Sequence, residues 1–287
     1  MDRTRKYLLG MYEKALPASL NWEEKLNACR EAGFDWIEIS IDETDEKIRR
    51  LYDQNMIEEI KTAIRKTGVP IRTMCLSALR KYSLGSLGKE KHEKAMEIVE
   101  KAIDFACEIG IRIIQMAGYD AYYEESSEDT RNEFIRNAKT VCRMAARKGV
   151  LMGFETQMDR EFINTVAKGM EYVNICDSPY LGVYPDIGNL ACAKNDFGYT
   201  HEINDDIRSG KGHILACHLK ETLPHIDRGV PWGSGLTEYE SNLPILKELG
   251  VRMFNAEFWC DHPEAWQEYL KDSCAFLREK LDRVFDD

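Results

Sequence analysis

Four segments in the second half of the chain carry an apolar run to a residue able to bind a hard cation: GFET at Glu155, VYPDIG at Asp186, ACHLK at His218 and FNAEFW at Glu257. In each, the apolar residues read as a strand and the polar residue stands where the strand gives way to a loop. Three carboxylates and one imidazole form an oxygen-rich set that suits one divalent ion. Mn²⁺ is favoured, with Mg²⁺, Co²⁺ or Zn²⁺ as alternatives. The set includes no thiolate, so it does not read as a structural zinc site. A cation bound to a carbonyl and a neighbouring hydroxyl makes the intervening C–H acidic. A carboxylate on one face can take that proton and a second on the other face can return one, which inverts the carbon. Glu155 and Glu257 are the candidate acid/base pair, and Asp186 and His218 the more passive anchors. A solitary strand-end glutamate is ordinarily a cap or ion-pair partner; four such groups on successive strands favour metal.

These residues, separated by 31, 32 and 39 positions, need a frame that brings them together. The chain has 287 residues, 44% hydrophobic and 31% charged, which is ordinary globular composition. Short β-rich runs are expected over 7–12, 36–41, 71–76, 111–117, 151–156, 181–185, 214–219 and 253–258. Amphipathic helices fall between them. One such helix, 92–109, turns Met96, Val99, Ile103, Phe105 and Ala106 inward. Gly33, Gly68, Gly110, Gly149 and Gly250 each stand at a helix end with a strand close behind, as C-terminal caps do. Eight strand–helix units without a linker most simply close into one α/β domain over residues 1–287, a (β/α)8 TIM barrel. A doubly wound sheet fits less well, because no glycine-rich phosphate turn follows the first strand. Barrel active sites lie at the C-terminal ends of the strands. Glu155, Asp186, His218 and Glu257 are expected at the tips of the fifth to eighth.

Charge and composition exclude other classes. A formal net charge of -11 repels a phosphodiester backbone, so no nucleic-acid partner is expected. No apolar stretch approaches the roughly 20 residues of a membrane helix. The N-terminal MDRTRKYLLGMYEK has a basic start but too short an apolar run for a signal peptide. The nine cysteines are scattered without a C-x-x-C, as expected for free thiols in a reducing cytoplasm.

Seven stretches carry a family resemblance: LGMYEKALP (9–17), EISIDETDE (38–46), MCLSALRKYSLGS (74–86), IQMAGYDAYY (114–123), YPDIGNL (184–190), HLKET (218–222) and VPWGSG (230–235). With them the chain resembles the xylose-isomerase-like barrels of sugar metabolism. Within these it is similar to the L-ribulose/L-xylulose 5-phosphate 3-epimerases of ascorbate and pentulose utilisation. The resemblance implies metal binding by Glu155, Asp186, His218 and Glu257, with the two glutamates doubling as acid and base. It also implies a phosphorylated ketopentose epimerised at carbon 3 through a cis-enediolate, and a homodimer or larger assembly. Two positions depart from the free-ketose enzymes of the group. Asn189 stands where they have a substrate-contacting histidine, and Gly233-Ser234-Gly235 replaces a G-E-G loop.

A phosphorylated substrate needs cationic or amide-rich contacts despite the acidic surface. Arg80 and Lys81 follow the third strand beside Ser77, Ser83 and Ser86. Lys14, Lys220 and Arg228 follow the first and seventh strands. Gln157 is placed to bond a sugar hydroxyl, Asn189 to contact substrate, and Tyr119, Tyr122 and Tyr123 to form a substrate wall or an oligomer contact. Trp232 and Trp259 stand in mouth loops. Three rival functions share parts of this pattern. An aldose–ketose isomerase uses the same enediolate chemistry. A metal-dependent apurinic endonuclease needs more mouth histidines than His218 and His225, and a basic face. A non-catalytic sugar-phosphate sensor needs no opposed acids.

Overall fold

The computed structural model describes residues 5–158, 162–261 and 263–286; residues 1–4, where the basic N-terminal run begins, lie outside them. The strands are β1 (Leu8–Tyr12), β2 (Trp36–Ser40), β3 (Ile71–Leu76), β4 (Ile113–Ala117), β5 (Leu151–Glu155), β6 (Leu181–Tyr184), β7 (Cys217–Leu219) and β8 (Met253–Ala256). The helices are α1 (Trp22–Ala32), α2 (Asp45–Arg49), α3 (Gln54–Thr67), α4 (Lys89–Ile109), α5 (Glu128–Lys148), α6 (Val166–Cys176), α7 (Ile187–Phe197), α8 (Ile203–Ser209), α9 (Tyr239–Glu248) and α10 (Trp266–Phe285).

The eight strands form one parallel sheet in the order β6-β5-β4-β3-β2-β1-β8-β7. The first and last of that order meet through the isolated parallel bridges Val183↔Ile214 and Asp186↔His218. Backbone N–H groups of Val183, Leu215 and His218 bond the carbonyls of His213, Val183 and Pro185 there. The result is the expected closed barrel. β3 spans the expected residues, and the other strands run shorter than the sequence suggests, most of all β7. The chain between Ile214 and Cys217 touches its neighbour at isolated points, so regular pairing is confined to three residues.

Parallel strands covered by helices are buried on both faces and lose the alternation of a half-exposed strand. All five residues of β2 are buried, Glu38 and Ser40 included. The helices start and stop on local chemistry. Asn21 and Glu24 form a reciprocal capping box at α1, Ser127 and Thr130 another at α5. Gly33 ends α1 with φ 96° and Gly110 ends α4 with φ 89°, a conformation that glycine adopts without strain. Helix α4 begins three residues before the expected start. It buries Val99, Ile103, Phe105 and Ala106, with Met96 packed partly buried against the core. Gly10 serves close approach: a Cβ there would run into the indole of the fully buried Trp36. Beside β1 lies a buried charge cluster in which Glu13 Oε1 accepts from Lys25 at 3.0 Å, Lys47 at 3.1 Å and Arg50 at 2.8 Å. All nine cysteines are free, and among the described residues no helix is long and apolar enough to cross a membrane.

A candidate metal centre at the barrel mouth

The last four strands deliver the four groups to one point. Glu155 is the final residue of β5, and Glu257 directly follows β8. His218 is the middle residue of β7, and Asp186 lies two residues past β6, where it caps α7. One ligand atom from each lies within 4.8 Å of all the others. Asp186 and His218 are 0% exposed and Glu155 is 4% exposed. The Glu257 side chain is 11% exposed.

Asp186, Glu155 and His218 each use one atom to anchor the side chain and present another to the cage. Asp186 Oδ1 accepts from the backbone N–H groups of Gly188 at 2.8 Å and Asn189 at 2.9 Å. Its Oδ2 is buried without a hydrogen bond. Gln115 Nε2 donates to Glu155 Oε2 at 2.6 Å, Gln157 Nε2 also donates to that oxygen, and Glu155 Oε1 lies 2.8 Å from His218 Nδ1. Glu257 Oε2 is 3.1 Å from that nitrogen but buried without a hydrogen bond. Two orphaned buried carboxylate oxygens beside an imidazole nitrogen are unusual in a folded protein. Hard oxygens with one nitrogen are a donor set that a divalent cation satisfies. The residues therefore fit the ion that the sequence implies.

The electrostatics fit as well. Burial opposes charge on His218, but Glu38 and Glu257 outweigh it and raise its pKa well above the usual imidazole value. Burial pushes the Asp186 carboxyl well up; Lys220 opposes this and Glu257 adds to it. Glu257 is held well below the carboxylate range, because Lys220 and His218 overcome the penalty of burial. Lys220 stays cationic although burial disfavours it, with Glu257 and Asp186 raising its pKa. Protons and one lysine balance a concentration of negative charge here. A divalent cation would replace that balance.

The remaining sequence-predicted residues divide into three groups. Lys220 and Asn189 join the cage: Lys220 Nζ donates to Asn189 Oδ1 at 3.0 Å and lies 3.8 Å from both Asp186 Oδ2 and Glu257 Oε2. Gln157 joins it through Glu155. Arg80, Ser77, Tyr119, Lys14 and Arg228 line the loops around it. Arg80 carries its guanidinium 5.9 Å from the Tyr122 ring, with Nε buried and unbonded. Ser77 is buried at the start of the turn after β3. The Tyr119 ring packs edge-on against Tyr122 at 4.7 Å. Lys14 is paired with Asp42 at 2.8 Å, and Arg228 lies 4.5 Å from the Trp259 ring. Lys81 is the outlier, exposed and 3.5 Å from Asp45. Two of the serines beside Arg80 and Lys81 bond protein groups: Ser86 donates to Glu124, and Ser83 donates to the Arg80 carbonyl. Ser234 bonds the Pro231 carbonyl at 2.7 Å.

Sequence reasoning missed Glu38 on β2 and Gln115 on β4. Each lies within a wholly buried strand and contacts a member of the quartet from beneath. The signal was present in WIEIS and IIQMA, where one polar residue interrupts a hydrophobic strand.

Comparisons with known proteins agree with this geometry. The family described as xylose isomerase-like TIM barrel matches residues 26–280. L-ribulose-5-phosphate 3-epimerase UlaE of Escherichia coli O139:H28 is 38% identical over 279 residues, covering 96% of this chain and 93% of its own. UlaE of Shigella boydii serotype 18 is 39% identical over the same shares. Among solved structures, an L-ribulose 3-epimerase superposes with a TM-score of 0.74 at 19% identity, over 96% of this chain and 95% of that one. The apo form of the E. coli 3-keto-D-glucoside 4-epimerase YcjR gives 0.75 at 22%, over 96% and 100%. A closed eight-stranded barrel, a carboxylate–imidazole cluster at its mouth and these similarities place the chain in the xylose isomerase-like TIM barrel family.

Proposed function

We propose that this protein is a metal-dependent 3-epimerase interconverting L-ribulose 5-phosphate and L-xylulose 5-phosphate. The observation that carries the reading is the convergence of Glu155 and Glu257 on one point, in a chain 38% identical to L-ribulose-5-phosphate 3-epimerase UlaE. Glu155, Asp186, His218 and Glu257 would hold the cation. When bound, the cation supplies Lewis-acid polarisation of a carbonyl and its neighbouring hydroxyl. The side chains do the rest. One glutamate takes the carbon-3 proton, leaving an enediolate planar at that carbon, and the other returns a proton to the opposite face.

The hydrogen bonds give the two glutamates different surroundings. Gln115 and Gln157 hold Glu155 by its outer oxygen, which aims Oε1 inward. Glu257 is held by the charges of Lys220 and His218, which keep it ionised and ready to accept. Lys220, anchored on Asn189, would donate to a substrate oxygen beside the reacting carbon. For the phosphate, Arg80 is the better candidate of the adjacent pair, since it has a buried unbonded nitrogen and Lys81 lies out in solvent.

Incubation with either pentulose phosphate in D₂O tests the reading. Deuterium is expected at carbon 3 of both epimers. Label confined to carbon 1 would instead establish an aldose–ketose isomerase. The endonuclease reading finds no support, because His225 is exposed and paired with Asp196 at 3.2 Å, and the chain is strongly acidic.

A further inference from the structure

Glu38 is a charged group where a barrel interior ordinarily holds Val, Ile or Leu. It is 0% exposed, yet no lysine or arginine pairs with it among the described residues; the one ion-pair partner it has among them is His218. Both carboxylate oxygens are occupied. Oε1 is 2.7 Å from His218 Nε2 and accepts from Asn255 Nδ2 at 3.0 Å. Oε2 accepts from Thr73 Oγ1 at 2.5 Å and Tyr184 OH at 3.2 Å. These donors come from β3, β6, β7 and β8, so the carboxylate ties together strands from all round the barrel. Burying a carboxylate this way costs several kcal/mol of solvation, and an apolar side chain of similar size would avoid that cost.

What the charge accomplishes lies on the far side of the imidazole. A neutral imidazole has one N–H and one lone pair, and the partner of one nitrogen fixes the role of the other. An acceptor at Nε2 requires the N–H there, and Nδ1 then presents its lone pair to the cage, 2.8 Å from Glu155 Oε1 and 3.1 Å from Glu257 Oε2. Resting on the proposed metal site, we infer that Glu38 is a positioning residue: it locks the tautomer and ring plane of His218 for cation binding through Nδ1, and its charge strengthens that nitrogen as a donor.

The test is Mn²⁺ titration of the intact protein and of Glu38→Gln, with the ¹⁵N shifts of His218 read in Mg²⁺-loaded samples. Glu38→Gln is expected to weaken Mn²⁺ binding about 10- to 100-fold, the usual effect of losing such an outer partner. Glu38→Asp should recover part of that loss, and the spectra should show the proton on Nε2 in the unaltered chain. If Glu38→Gln does not fold, Thr73→Val and Tyr184→Phe each remove one hydrogen bond to Oε2 and should weaken binding in the same direction by less. Binding by these variants within about twofold of tightly binding parent protein, or a proton found on Nδ1, would overturn the inference alone. Failure of the unaltered chain to bind Mn²⁺ would overturn the metal reading and this inference with it.

Discussion

Replacing one glutamate of the pair should separate epimerisation from proton exchange. In Glu257→Gln the amide oxygen can still ligate a cation, but the side chain can no longer accept a proton. Its neighbours are poor substitutes: Asp186 is held by two backbone N–H groups on Oδ1 and its Oδ2 would be committed to the cation, and Lys220 is held protonated by the surrounding carboxylates. General acid–base catalysis is worth about 10²–10⁴ in rate. That corresponds to about 3 to 5.5 kcal/mol of barrier, and with no good substitute base the loss should fall at the upper end. Glu155→Gln should lose as much turnover. With only one face still served, each variant should nevertheless exchange the carbon-3 proton of one epimer with solvent, and the two variants should favour opposite epimers. NMR detection of deuterium uptake from each pentulose phosphate at saturating Mn²⁺ measures this directly. Near-parental turnover in both variants, or the same epimer exchanging in both, would refute two acids acting on opposite faces.

Two further outcomes follow from the charges. His218 has a raised folded-state pKa, so its proton stabilises the metal-free protein fully below the ordinary imidazole value, and that contribution is lost as pH rises through the raised value. A cation at Nδ1 displaces a proton, so Mn²⁺ affinity should increase with pH through neutrality; calorimetry in buffers of different ionisation enthalpy should show proton release, and its absence would count against His218 as a ligand. Glu13 has the opposite sign. Burial alone would raise its pKa, but Lys25, Lys47 and Arg50 hold it far below the carboxylate range, so its contribution is present at neutral pH and lost as pH falls. Glu13→Gln strands three largely buried cations and should cost about 3–5 kcal/mol in urea unfolding at pH 7.

The tips of the strands were legible in the sequence because the change from apolar run to carboxylate or imidazole is abrupt and is repeated four times. What lies beneath the tips was not. In a strand buried on both faces, nothing in the residue order says which side chains point into the barrel and which toward the helices, so Glu38 and Gln115 could not be placed. The basic residues near the mouth were visible but their partners were not. Lys220 is legible as a cation after the seventh strand, but only the structure puts it beside Asp186 and Glu257, and only the structure separates the exposed Lys81 from its neighbour Arg80. The length of β7 depended on contact with β6, which joins residues more than 30 positions apart.

The join between β6 and β7 has a mechanical consequence. Elsewhere the hoop of strands is held by ladders of several paired residues; here isolated bridges hold it, and one of them is the Asp186↔His218 pair. Slow breathing of the scaffold should concentrate at this seam. An ion gripped from both sides of it would act as a clasp, so that loading the cofactor also stiffens the weakest stretch of the wall, and amide hydrogens of Val183, Leu215 and His218 should exchange more slowly once it is in place.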